Sequence, residues 1–154
     1  MNFKKELIKM KKIDVVKVYV KKEQSLQIEK DIIKKPEQVF EVVKNFLGEV
    51  DREYLIVIVL DVKNKINSIS VASVGTLNSS IVHPREVFKT AILANGASII
   101  LAHNHPSGDT SPSKDDINIT TRIKECGVLM GIELLDHVIL GDEKFISLKN
   151  EGII

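Results

Sequence analysis

Both the fold and the chemistry of this chain turn on one stretch, ASIILAHNHPSGDTSPSKDD, residues 97–116. Its opening, Ala97 to His103, is a short, nearly continuous apolar run, the pattern of a strand buried on both faces. The run empties into a loop rich in Pro, Gly, Ser and Asp, from His103 to Pro112, and Ser113 then caps a helix expected to reach about Cys126-Gly127. A buried strand that feeds a helix through a polar loop is the unit from which α/β domains are assembled.

The loop also carries the residues with chemistry. At a strand end, the i, i+2 spacing of His103 and His105 turns both imidazoles to one face, about 6.6 Å apart at the backbone. Two imidazoles can converge across that gap on one ion, with Zn–N bonds of about 2.0–2.1 Å. Pro106 stops the ladder, and the returning loop brings a helix N-terminus whose Asp116 can turn its carboxylate back toward the histidines. Two histidines and one carboxylate leave a fourth tetrahedral position open for water, as in a catalytic zinc site. A plainer reading stands beside this one. Ser113-x-x-Asp116 is also a capping box with Asp in place of the usual Glu, and a lone HxH pair arises by chance. The complete spacing, HxH, seven residues, Ser, two residues, Asp, is far more specific than either part.

Outward from this stretch, strands and helices alternate. Pro36 opens a helix whose Val39, Phe40, Val43, Phe46 and Leu47 fall at helical spacing before Gly48 ends it. Glu53 to Asp61 is too apolar to have an exposed face, which predicts a central strand in a covered sheet. Ile66 to Val74 returns as an alternating strand after a turn at Asn64. His83-Pro84-Arg85-Glu86 starts a helix that Asn95-Gly96 stops. Ile132 to Leu140 and Phe145 to Leu148 are the last two strands, around Gly141-Asp142. Upstream, Met1 to Lys12 reads as a loose or helical leader, Ile13 to Val20 as a strand, and Leu26 to Ile28 as a short partner strand. The expectation is one α/β fold: a mixed sheet flanked by helices over residues 36–154, preceded by a basic leader with strands over 1–35. Neither GxGxxG nor GxxxxGK[ST] occurs, so the common phosphate-binding loops are excluded.

The 154 residues suit one domain, and 44% hydrophobic against 28% charged residues suits a globular protein. The single cysteine, Cys126, excludes an intramolecular disulfide and any multi-thiolate zinc site within one chain; it reads as a packed small residue. The longest apolar run, Tyr54 to Leu60, is too short to cross a bilayer, and the N-terminus lacks the apolar core of a signal peptide. No membrane association and a cytoplasmic address are therefore expected. Charge is uneven. Residues 1–35 carry 11 lysines and 5 acidic residues, a net of +6, and residues 36–154 carry 11 basic and 16 acidic residues, a net of −5. A basic leader on an acidic body is either a solvated, solubilising segment or a weak contact for nucleic acid.

His-x-His-x7-Ser-x2-Asp resembles the JAMM, or MPN-plus, metalloprotease signature, and HNHPSGDTSPSKDD is similar in particular to the bacterial RadC-like proteins. The resemblance extends through Glu53-Tyr54-Leu55, Gly75-Thr76-Leu77-Asn78, Val82-His83-Pro84-Arg85-Glu86 and Leu134-Leu135-Asp136-His137. It implies a cytidine deaminase-like mixed sheet, one zinc per chain on His103, His105 and Asp116, and Ser113 as a donor to the oxyanion. It also implies an upstream glutamate as general base. Glu53, at the start of the apolar strand, fits that description better than Glu86, whose place in a first helical turn is explained by the helix dipole. The activity implied is hydrolysis of a peptide or isopeptide bond. The family's historical DNA-repair label supplies the alternative, a nucleic-acid-associated accessory protein. The longer relatives carry glycine-containing helical hairpins, and residues 1–35 contain no glycine, so that module is not expected here. H-x-E and P-C-x-x-C are absent, which excludes deaminase chemistry. Asp136-His137, inside a strand pattern, reads as a supporting or core pair rather than as ligands.

Overall fold

A computed structural model describes residues 10–78 and 80–154. In it a five-stranded sheet has the order β2-β1-β3-β4-β5. The elements, in chain order, are α1 (Pro36–Leu47), β1 (Tyr54–Leu60), β2 (Ile66–Val74), α2 (Pro84–Leu93), β3 (Ser98–Asn104), α3 (Lys114–Met130), β4 (Glu133–Leu140) and β5 (Phe145–Ser147). Only β3 and β4 run parallel, and α3 is the crossover between them. The pairings of β1 with β2, β1 with β3, and β4 with β5 are antiparallel.

The apolar run of β1 finds the place its composition demands. Leu55 to Leu60 are all fully buried, because β2 and β3 cover both edges and helices cover both faces. Val39 and Val43 of α1 join Ile56, Ile58, Leu60, Ile100 and Val138 on one face. On the other, Val87 and Phe88 of α2 and Ile119 and Ile123 of α3 pack on Leu55, Val57, Ile99 and Leu101. Strand alternation therefore sends His103, two residues beyond Leu101, toward α3.

Two expectations need correction. Residues 13–20 and 26–28 form no strand. Ile13, Val15, Val16, Val18 and Tyr19 lie 66–97% exposed, and β-branched residues favour a strand only where a pleated surface lets them pack. Among the described residues, the chain first joins the sheet at Ile32, bridged to Lys65. The helical alternative for Met1 to Lys12 falls largely outside the described residues. The second correction concerns α3, which runs three residues past Gly127. It ends in a Schellman turn, with the Ile132 amide donating to the Gly127 carbonyl at 3.0 Å and the Gly131 amide to Val128 at 3.4 Å. Gly131 takes the left-handed conformation, φ +67°. A Cβ on Gly127 would lie 2.5 Å from the Ile132 carbonyl oxygen, so this glycine permits a close approach instead of stopping the helix. No described helix is long and apolar enough to cross a membrane.

Candidate metal centre

The C-terminal end of β3 and the N-terminus of α3 meet as the loop turns back. The His105 amide extends the ladder by one bond, donating to the Leu140 carbonyl at 2.7 Å. That extra pairing keeps the His105 ring beside His103, with ring centroids 4.7 Å apart.

At the helix N-terminus the two readings of Ser113 and Asp116 hold together. The Ser113 hydroxyl accepts from the Asp116 amide at 3.0 Å, and the Asp116 carboxylate accepts from the Ser113 amide at 2.7 Å, a complete capping box. The box does not exhaust the carboxylate. Its Oδ1 lies 3.3 Å from Nε2 of His103 and its Oδ2 lies 3.5 Å from Nε2 of His105, while the two Nε2 atoms are 2.9 Å apart. The cap thus aims the carboxylate at the histidines. His103 is fully buried and Asp116 nearly so, and His105 lies at the opening toward solvent.

These donors fit a metal. Around a tetrahedral zinc with bonds of about 2.0–2.1 Å, neighbouring ligand atoms sit about 3.3 Å apart, and Nε2 of His103 lies 2.9 Å from Nε2 of His105 and 3.3 Å from Oδ1 of Asp116, both near that value. The Nδ1 of His105 lies 2.6 Å from the Asp109 carbonyl, which can only accept, so the neutral ring carries its lone pair on Nε2. His103, His105 and Asp116 form the one cluster among the described residues whose ligand atoms could hold an ion. Electrostatics agrees. Contact with Asp116 raises the pKa of His105 against the lowering effect of burial. Burial alone would raise that of Asp116, yet the His103 and His105 rings hold it well below the usual carboxylate range.

Glu53 lies next to this cluster. The ladder pairs Leu55 with His103, so two residues further on Glu53 faces His105, and its charge contributes to raising that ring's pKa. Its Oε2 accepts from the Leu77 amide at 2.9 Å. Glu86 is engaged elsewhere. It is exposed at the start of α2, pairs with Lys89 at 2.7 Å, and that bond lowers its pKa.

Three supporting residues went unread or half-read in the sequence. Asn104, between the two histidines, points the other way, accepting from the Tyr54 amide at 2.8 Å and donating to the Arg52 carbonyl at 2.9 Å. It thereby clamps the backbone on both sides of Glu53. His137 on β4 is buried behind His103, with Nε2 2.8 Å from Nδ1 of His103. Burial, and then the neighbouring His103, push its pKa well below the ordinary range. Thr120 on α3 lies 2.6 Å from Nδ1 of His137. Its position one turn after Asp116, on the same helical face, was the signal available. Asp136 acts structurally, accepting from the His137 and Lys149 amides and from the Ser147 hydroxyl.

A family model of the RadC-like JAB domain matches residues 33–153. Among curated proteins, the chain is 57% identical over 122 residues to a "UPF0758 protein" of Clostridium perfringens, covering 79% of this chain and 54% of that protein. A "UPF0758 protein" of Clostridium botulinum is 53% identical over 122 residues, with the same coverages. One of Desulforamulus reducens is 51% identical over 123 residues, covering 80% of this chain and 54% of its own length. The chain spans about half the length of these relatives.

Proposed function

Since the chain belongs to the RadC-like JAB domain family, we propose that it is a zinc-dependent hydrolase of the JAMM type, cleaving a peptide or isopeptide bond. The observation that carries this reading is the convergence of two imidazole nitrogens and a capped carboxylate next to Glu53. His103, His105 and Asp116 would hold one zinc per chain. Bound there, the ion would supply Lewis acidity, bringing the pKa of water toward about 7 and polarising the scissile carbonyl.

The protein's own groups do the rest. Glu53, clamped at the strand end, takes a proton from the attacking water and returns it to the departing amine. The Ser113 oxygen accepts from the Asp116 amide, so its hydroxyl proton stays available to the oxyanion that develops on the substrate. Asn104 holds Glu53 in place by bonding the peptide groups that flank it.

The test is elemental analysis of protein purified with zinc, followed by digestion of a peptide library with and without chelator. About one zinc per chain and chelator-sensitive cleavage are expected. Protein that gains no zinc above background would sink the reading. A second reading, contact with nucleic acid, draws on Lys11, Lys12, Lys17, Lys21 and Lys22, all exposed on the leader.

A further inference from the structure

We propose that Thr120 and His137 are positioning residues that decide which nitrogen of His103 is free to bind a metal. The inference rests on the zinc-site reading above and concerns the wire of hydrogen bonds behind it. That wire has a direction, and its far end sets it.

The Thr120 hydroxyl has one proton. It lies 2.6 Å from the Asp116 carbonyl oxygen, which can only accept, so the proton is committed there. The lone pairs of the same oxygen then face Nδ1 of His137 at 2.6 Å, and that nitrogen must be the donor. In the neutral ring Nε2 is consequently an acceptor, and the atom 2.8 Å from it is Nδ1 of His103. His103 must carry its proton on Nδ1. Its Nε2 is left with a bare lone pair, directed at His105 and Asp116. Thr120, His137 and His103 are all fully buried, so no solvent replaces a lost partner. Were the wire reversed, His103 would present an N–H to the site and repel a cation. The wire also begins at a ligand residue: the Asp116 main chain sets the tautomer of an imidazole with which its own side chain shares the ion. Thr120 touches neither the ion nor the substrate, and acts through two other residues.

The test uses Thr120→Val, which keeps shape and removes the hydroxyl, with Thr120→Ser as the conservative rescue. Zinc affinity is measured by competition with a chromophoric chelator, and the ring tautomers are read from 15N shifts of the metal-free proteins at one mildly alkaline pH. In the wild type and Thr120→Ser, His103 should be protonated on Nδ1, with zinc affinities within about threefold of each other. In Thr120→Val, the freed His137 can turn its proton toward His103, which then protonates on Nε2, and zinc affinity should fall about 10–100-fold, the usual cost of losing a supporting partner. Equal affinity in Thr120→Val, or weaker binding with the His103 tautomer unchanged, would overturn the proposal while leaving the zinc site intact. If Thr120→Val does not fold, the wild-type tautomer alone decides, since His103 protonated on Nε2 would overturn it. A wild type that binds no zinc would overturn the zinc-site reading itself.

Discussion

Replacing Asp116 with Asn separates the two tasks of that carboxylate. The amide oxygen can still accept from the Ser113 amide, so the capping box keeps its shape, but the negative charge is gone. A hydrogen bond to a charged group contributes about 1.5–3 kcal/mol and a neutral one about 0.5–1.5. The 2.7 Å bond from Ser113 should therefore weaken by about 1–1.5 kcal/mol. Loss of a charge that complements the helix N-terminus adds about 0.3–1 kcal/mol. Together these cost about 1.5–2.5 kcal/mol, or roughly 3–10 °C in Tm for a chain of this size. The sign agrees with the depressed carboxyl, which means that the folded protein holds the ionised form better than the neutral one. Ser113→Ala removes the other half of the box at a similar cost, about 0.5–2 kcal/mol, but keeps all three ligands. Melting is followed in excess chelator, and zinc affinity by competition. Similar drops in Tm should accompany opposite results for metal: Asp116→Asn loses more than the 10–100-fold typical of supporting residues, whereas Ser113→Ala stays within about tenfold of wild type. Zinc binding by Asp116→Asn within about tenfold of wild type would refute the reasoning. So would equal loss in both variants, which would make the cap and not the carboxylate the holder of the ion.

Glu53→Gln should retain zinc and lose about 10²–10⁴-fold in hydrolysis, while Glu86→Gln, which disturbs exposed pairs with Lys89 and Arg85, leaves turnover unchanged; the reverse result would exchange their roles. Gly127→Ala should destabilise by about 1–3 kcal/mol in chemical denaturation despite alanine's better helix propensity, because the added carbon meets the Ile132 carbonyl, and a stabilised variant would contradict the packing argument. Apparent zinc affinity should fall on acidification. The pKa of His105 is raised, so its proton competes with metal up to a higher pH than for an ordinary histidine, and affinity drops about tenfold per pH unit below that point. Asp116, with its lowered pKa, stays ionised throughout, and a zinc affinity flat between about pH 5 and 8 would count against this account. Deleting residues 1–12 should leave zinc content intact and weaken any binding to duplex DNA, whose dependence on log salt has a slope of about −0.9 per neutralised phosphate; DNA binding that survives the deletion and needs His103 would point to the zinc site as the contact.

Some of this protein was determined by sequence alone, because the information was local. The apolar run from Tyr54 to Leu60 has no polar face to leave in water, so it had to be a central strand. Pro36, Pro84 and Ser113 open helices by the geometry of a first turn, and the HxH spacing carries its own two-residue periodicity. Where the meaning of a residue depended on a distant partner, only the tertiary structure decided. Ile13 to Val20 has the composition of a strand, but no sheet edge receives it. Gly127 looks like a helix end, yet its role is set by the Ile132 carbonyl that the chain folds back against it. Glu53 and Glu86 look alike in sequence, and the pairing of Leu55 with His103 brings one of them to His105 while Lys89 engages the other. His137 meets both His103 and Thr120 because the α3 crossover lays β4 parallel to β3 and presses helix and strand together. Periodicity tells which face a side chain takes. Which other side chain waits on that face is set by register and topology, and these arise only when the separated segments bury one core.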